Sequence, residues 1–106
     1  MQFSILIPTF NNLDCLKLCI YSLKKNSYFK NQIICHVNTG NDGTLEYLHK
    51  INIQHTYTEY NSGICEGINK ATILSKFNYL LYAHDDFYFC PNWDQILSKE
   101  IDRIGH

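Results

Sequence analysis

Arginine occurs once among the 106 residues, proline twice and glycine five times. Scarce glycine and proline exclude a collagen-like or low-complexity chain and leave a folded globular one. Positive charge is not in excess, since nine Lys and Arg stand against ten Asp and Glu, for a net charge of -1. That balance excludes a protein that grips nucleic acid by neutralising its phosphates, so no nucleic-acid partner is expected. No apolar run is long enough to cross a bilayer. The opening "MQFSILIPTF" has no basic stretch before its apolar run and no cleavage site, and it reaches Pro8 early. It reads as a first strand and not as a signal peptide. A cytoplasmic location is expected, with any peripheral attachment to a membrane made through a partner.

Paired cysteine motifs are missing too. Cys15, Cys19, Cys35, Cys65 and Cys90 are odd in number and scattered, with no C-x-x-C. A disulfide framework and a zinc knuckle are therefore excluded. Cys15 and Cys19 lie one helical turn apart on an apolar face, and all five are expected to be reduced, mostly core, thiols. The segment "TGNDGT" has no Gly-Lys-Ser/Thr after it and is not a P-loop. Its Gly40 and Gly43 are expected to be turn residues with positive φ.

What is present is a regular alternation. "FSILIP", "QIICHV", "IQHTYTEY" and "YLLYA" read as strands, the third near an edge and the others continuously apolar. "LDCLKLCIYSLKKN" reads as a helix, with Leu13, Leu16, Cys19, Ile20 and Leu23 at helical spacing. Asn12 can cap it, Asp14 suits its first turn, and Lys24 and Lys25 suit its last. Asp42 can cap a short helix in "GTLEYLHKI". "NSGICEGINKATILSKF" continues as a helix with Ile64, Ile68, Ala71 and Leu74 along one side. Pro91 fits the first turn of a last helix, "PNWDQILSKEIDRI". The order β-α-β-α-β-α-β-α predicts an α/β domain over residues 1–106: a three-layer sandwich with a mainly parallel sheet covered on both faces. Ligands of such sheets bind beyond the carboxyl ends of the strands, where the strand order reverses. That rule selects "PTFNN", "VNTGND", "EYNSG" and "HDDF".

In the last of these, Asp85 and Asp86 leave an apolar strand side by side. Successive side chains of an extended segment point opposite ways, so one carboxylate can face a ligand while the other faces elsewhere. Carboxylate oxygens suit Mg²⁺ or Mn²⁺, which would neutralise a diphosphate and make it a better leaving group. A helix-capping or surface acidic pair is the other reading of the same residues. Asn61 and Gly63 can cap the third helix, whose N-terminus would favour an anion. Tyr79, Tyr82, Phe87, Tyr88, Phe89 and Trp93 are expected to be mostly core. His84 is expected to be a bystander, and Glu59 a strand-end surface carboxylate.

Four segments resemble family 2 glycosyltransferases of the GT-A fold, a Rossmann-like, nucleotide-diphospho-sugar transferase architecture. They are "FSILIPTFNN", "NDGTLEYL", "NSGICEGINKA" and "YLLYAHDDFYFCPNW", in the family's order and over almost the whole chain. The resemblance implies a nucleotide-sugar site built from Pro8, Thr9, Asn11, Asn38, Asn61, Gly63 and Asp85. It implies a Mn²⁺ or Mg²⁺ ion held by Asp86, with Asp85 nearer the ribose or behind the metal, and a UDP-sugar as donor. Asn38 stands where the family often has Asp to accept from a uracil N–H, and an Asn carbonyl accepts more weakly. Val37 replaces another frequent acid, and Ile68 replaces an Arg before Asn69. Family members of this type transfer the sugar with inversion, using a general base that lies beyond the metal motif. No recognisable base motif follows here. Asp94, Glu100 and Asp102 lie on the last helix, and no catalytic residue is assigned.

The resemblance thus implies a truncated donor-binding part, with a homo-oligomer or second subunit supplying the acceptor site. A non-catalytic nucleotide- or metal-binding remnant of a glycosyltransferase is the alternative. A receiver-like phosphoacceptor ranks last, because the first strand ends in "PTFNN" where that class needs acids.

Overall fold

The computed structural model describes residues 1–39 and 41–105; Gly40, expected as a turn glycine, and His106 lie outside the described residues. Eight elements alternate as the sequence predicts. They are β1 (Phe3–Phe10), α1 (Leu13–Asn26), β2 (Gln32–Asn38), α2 (Thr44–Lys50), β3 (Gln54–Thr58), α3 (Gly63–Thr72), β4 (Tyr79–Tyr82) and α4 (Trp93–Ile104). All strand pairs are parallel, in the order β3-β2-β1-β4. The long continuously apolar strands take the centre and the shorter ones the edges, as burial demands.

Alternation along β1 and β2 divides their side chains between two layers. Phe3, Ile5 and Ile7 of β1 and Cys35 and Val37 of β2 pack with Leu16, Cys19, Ile20 and Leu23 of α1 and Leu48 of α2. Trp93, Leu97 and Ile101, one turn apart along α4, close the same cluster. On the other face Leu6 and Ile34 meet Ile68, Ala71 and Leu74 at α3. The result is three layers, with α3 alone on the second face.

Several sequence expectations need correction. β4 is not covered on both faces: Leu80 and Tyr82 are 47% and 37% exposed. They point to the face of α3, but α3 packs chiefly on β1 and β2. Tyr82, Phe87 and Tyr88 are exposed, whereas Tyr79, Phe89 and Trp93 do pack against the core. Cys19 and Cys35 are buried, but Cys15, Cys65 and Cys90 are exposed; all five are free thiols. Ile64, in the first turn of α3, is exposed at the cleft and not packed on the sheet.

Pro91 is not in the first turn of α4. Asn92 takes a left-handed φ of 61° before the helix starts at Trp93. Its N–H is drawn to the carbonyl of Asn26 at 2.9 Å.

Asn12 makes no side-chain cap on α1. Asp42 takes that role, accepting from the Leu13 N–H at 3.2 Å. The same carboxylate accepts from the Thr44 hydroxyl at 2.6 Å and the Thr44 N–H at 3.3 Å, at the start of α2. One acid therefore serves two helix N-termini, where negative charge is favoured.

At the far end of the molecule Asp94 is fully buried. It accepts from the N–H groups of Tyr28 and Phe29, from Asn31 Nδ2 and from the Gln95 N–H, at 2.8–3.0 Å. Burial by itself would push this carboxyl up. The donors outweigh burial and hold it below its ordinary range. Asp94 is thus the latch between α4 and the α1–β2 connection. No helix among the described residues is long and apolar enough to cross a membrane.

Candidate functional site

The strand order turns about β1, which has β2 on one side and β4 on the other. The loops that leave these three strands at their carboxyl ends diverge around a cleft of about 560 Å³. Pro8, Thr9, Asn11, Asn38, Asn61, Gly63 and Asp85, drawn from four separate segments, all line it. The structure therefore brings together every residue assigned to the nucleotide-sugar site from sequence. Asp86 is elsewhere. It is exposed and lines a shallower hollow with Phe87, Phe89 and Trp93 on the α4 side. The acidic pair diverges, as alternation of adjacent side chains requires.

Asp85 holds the floor of the cleft. Its Oδ2 accepts from Thr9 Oγ1 at 2.8 Å and its Oδ1 from Asn12 Nδ2 at 3.1 Å. These bonds close the β1 loop onto the β4 loop. They leave each carboxylate oxygen one further lone pair. Asn11, between these loops, takes a left-handed φ of 46°, which Asn tolerates. Tyr82 and His84 line the rim, with the Tyr82 hydroxyl 3.2 Å from His84 Nδ1. His84 is thus part of the wall.

A second polar network forms the opposite wall, below α3. Asn38 Oδ1 accepts from the Ser62 N–H at 2.9 Å, from Ser62 Oγ at 2.7 Å and from Thr58 Oγ1 at 3.3 Å. Beneath it, the buried His36 has Nδ1 2.7 Å from Thr56 Oγ1 and Nε2 3.2 Å from Thr58 Oγ1. Burial, and then the charge of Lys70, push the His36 pKa down. Gly67 lets α3 sit on this imidazole: a Cβ there would lie 2.9 Å from His36 Cδ2 and 3.4 Å from the Pro8 Cβ. Past Asn38 the chain turns sharply at Thr39, whose φ of 61° is strained for a β-branched residue. Asn61 Oδ1 accepts from the Gly63 N–H at 3.2 Å and sets the entry to α3.

Sequence reasoning missed the part of Ser62 and the reach of Asn12 and of Asp42, whose cap on α2 it expected but whose bond to α1 it did not. Asn12 bonds across to Asp85 instead of capping α1. Ser62 fixes Asn38. Asp42 anchors both neighbouring helices. The "NSG" turn was a signal for Ser62. Nothing local distinguishes an Asn that caps from one that reaches a loop 73 residues away.

Among the described residues, no three His, Cys, Asp or Glu side chains converge as a metal site. A Mg²⁺-type ion held by one or two carboxylates and substrate phosphates needs no such cluster. Asp85, with lone pairs free in the cleft, is placed for that mode of binding, whereas Asp86 lines the hollow on the α4 side. Another hollow, of about 550 Å³, lies at the amino ends of the strands and includes Lys24, Lys30 and Lys76. Its polar groups are already paired with one another: Gln32 bonds Ser4, Gln54, the Leu74 carbonyl and the Lys76 N–H, and Asn31 bonds Asp94.

Comparison with known proteins places this arrangement in a family. The chain matches the model of glycosyl transferase family 2 over residues 4–106, and it belongs to that family. Among solved structures it is similar to TarS of S. aureus, with a TM-score of 0.84 and 24% identity over 97% of this chain and 20% of that one. It is likewise similar to TarS 1–349 in complex with UDP, with a TM-score of 0.84, 24% identity and 97% and 32% of the two chains. TarS 1–349 in complex with UDP-GlcNAc gives a TM-score of 0.79 at 24% identity, again with 97% and 32% covered. The chain thus spans a fifth to a third of the TarS chains it matches. No curated protein sequence matches it.

Proposed function

We propose that this chain binds a nucleoside-diphosphate sugar in the cleft between β1, β2 and β4, and serves as the donor site of an inverting glycosyl transfer. The observation that carries the reading is the Thr9–Asp85–Asn12 clasp, which builds a carboxylate into the floor of a cleft walled by neutral amides. Asp85, with lone pairs to spare, suits sugar hydroxyls as donors. The first turn of α3 at Gly63 adds the partial positive charge of a helix N-terminus for the diphosphate. Family membership, and the UDP and UDP-GlcNAc in the TarS complexes, support a nucleotide sugar as partner. UDP is accordingly the first nucleotide to try.

Asp85, which lines the cleft, and Asp86, next to it in the chain, are the residues that would hold Mn²⁺ or Mg²⁺. The ion supplies charge neutralisation of the departing diphosphate. Asp85 orients the sugar nucleotide, and Thr9 and Asn12 orient Asp85. None of the α4 carboxylates, Asp94, Glu100 or Asp102, lines the cleft. Asp94 is consumed by its four donors, and Glu100 pairs with Arg103 at 2.8 Å. The base for the acceptor hydroxyl is therefore assigned to a second subunit, another copy or further chain.

The test is calorimetric titration of UDP, CDP and GDP with and without Mn²⁺ into the wild-type chain and Asp86→Ala. Manganese-dependent binding lost in Asp86→Ala is expected. Absence of binding by every nucleotide would overturn the proposal. Binding without turnover in any assembly would turn it into the alternative, a non-catalytic module.

A further inference from the structure

We propose that His49 and His55 form a two-imidazole site for a late first-row divalent ion, of the Zn²⁺ or Ni²⁺ type, at the corner where α2 turns into β3. The site shares no lining residue with the cleft and does not rest on the donor-site reading.

His49 lies in the last turn of α2, and His55 is the second residue of β3. His55 stands in register with Cys35 of β2, and Cys35 packs in the layer of α1 and α2. Side chains in register on neighbouring strands share a face, so the His55 ring faces that layer too. There it meets His49, with ring centroids 4.7 Å apart and planes at 88°. Backbone bonds close the corner, from the Asn52 N–H to the His49 carbonyl at 3.2 Å and from the Ile53 N–H to the Leu48 carbonyl at 3.0 Å. Leu48, next to His49, is anchored in the core. The backbone that carries the pair is thus set before any ion arrives, which lowers the ordering cost of binding.

The tautomer of His55 is fixed. Its Nδ1 lies 2.9 Å from the Ile53 carbonyl oxygen, and a carbonyl can only accept. Nδ1 therefore carries the proton, and the lone pair of the neutral ring is at Nε2. Metal-bound histidines are generally held in this way, one nitrogen donating to a carbonyl or carboxylate while the other binds the ion. Nε2 of His55 has no hydrogen-bond partner among the described residues, and neither has either ring nitrogen of His49.

The spacing suits one shared ion. Imidazole nitrogen binds Zn²⁺ at about 2.0–2.1 Å, which sets the centroids of two rings bound side by side on one ion about 4.5–5.2 Å apart. The observed 4.7 Å falls inside that interval. His49 is exposed, so rotation about its χ angles is open to bring a nitrogen to the point that His55 Nε2 faces. No third His, Cys, Asp or Glu joins the pair among the described residues, so water fills the remaining positions and the ion exchanges. Two imidazoles select Ni²⁺, Cu²⁺ and Zn²⁺ over Mg²⁺ and Mn²⁺, which prefer oxygen. The ion proposed for Asp85 and Asp86 is of the second kind, so the two sites can be told apart.

The experiment is titration of Ni²⁺ into the ¹⁵N-labelled chain in excess Mg²⁺, read as paramagnetic broadening of amide signals, and repeated on His49→Ala and His55→Ala. Broadening centred on residues 48–56 and reversed by excess Zn²⁺ is expected. Either variant is expected to weaken Ni²⁺ binding by at least about tenfold, the loss that even an outer partner of a metal ligand can bring. Should His55→Ala not fold, His49→Ala decides, because it changes an exposed side chain. Broadening centred instead on His84 or on the exposed Cys15, Cys65 or Cys90 would overturn the proposal. So would broadening at 48–56 that His49→Ala leaves undiminished, or none at millimolar Ni²⁺.

Discussion

Thr9 and Asp85, 76 residues apart in the chain, are joined by a hydrogen bond of 2.8 Å from the Thr9 hydroxyl to the Asp85 carboxylate. Asn12 donates to the other oxygen of the same carboxylate. Removing Asp85 therefore both strips a charge from the cleft and leaves two donors without their acceptor. Asp85→Ala is expected to cost about 1–2 kcal/mol of stability and to weaken nucleotide binding about tenfold or more. Asp85→Asn keeps one acceptor and is expected to lose less stability. Chemical denaturation and calorimetry on the two variants check both statements.

Asp94 predicts the opposite pattern, a large effect on stability and none on the cleft. Asp94→Ala leaves the Tyr28 and Phe29 N–H groups and Asn31 Nδ2 buried without an acceptor. A loss of about 3 kcal/mol is expected, read as a lower denaturation midpoint. Because the donors hold this carboxyl below its ordinary range, its stabilising contribution is present above that range and disappears as acid protonates it.

His36 introduces a second acid dependence at milder pH. Its folded pKa is depressed by burial and Lys70, relative to an ordinary value of 6.5. The unfolded chain therefore binds the proton more readily. The contribution is fully present above about pH 6.5 and is lost as pH falls from there toward the folded value. A thermal-denaturation series from pH 8 to pH 5 should show the midpoint falling below pH 6.5, and His36→Gln should flatten that fall.

Gly67→Ala tests the seat of α3. The added methyl would lie 2.9 Å from the confined His36 ring and 3.4 Å from Pro8. A helix interior normally gains from Gly→Ala, by about 1 kcal/mol. Here the clash, worth about 1–3 kcal/mol, is expected to outweigh that gain. A denaturation midpoint above wild type would contradict the packing described.

The thiols should separate into two classes. Burial, and then the charges of Asp85 and Asp86, push the Cys19 thiol up to about 12, and burial pushes Cys35 up as well. Iodoacetamide at pH 8 is expected to label Cys15, Cys65 and Cys90 and to spare Cys19 and Cys35. Cys65 lines the cleft. A bound nucleotide is expected to slow its labelling and to leave Cys15 and Cys90 unchanged.

The path from sequence to site was readable where a local rule governs. Helical spacing and end charges placed α1 at Leu13–Asn26 as observed, and the position of acids after an apolar strand placed Asp85 at the cleft. The exposed face of β4 was not readable, since "YLLYA" is equally apolar whether one or two faces are covered. Which residue caps α1 was not readable either. Asn12 has the right chemistry, and only the arrival of Asp42 from 29 residues away decides the outcome. The same holds for Asn38, whose amide orientation depends on Ser62, 24 residues further on.

The nucleotide is assigned to the carboxyl end of the sheet and not to the hollow at its amino end. The most direct measurement is amide chemical-shift mapping of the ¹⁵N-labelled chain during titration with CDP and with UDP in the presence of Mg²⁺. Shifts concentrated at Thr9, Asn11, Asn38, Gly63 and Asp85 are predicted. Shifts concentrated at Lys24, Lys30 and Lys76, or no shifts with either nucleotide, would contradict the assignment.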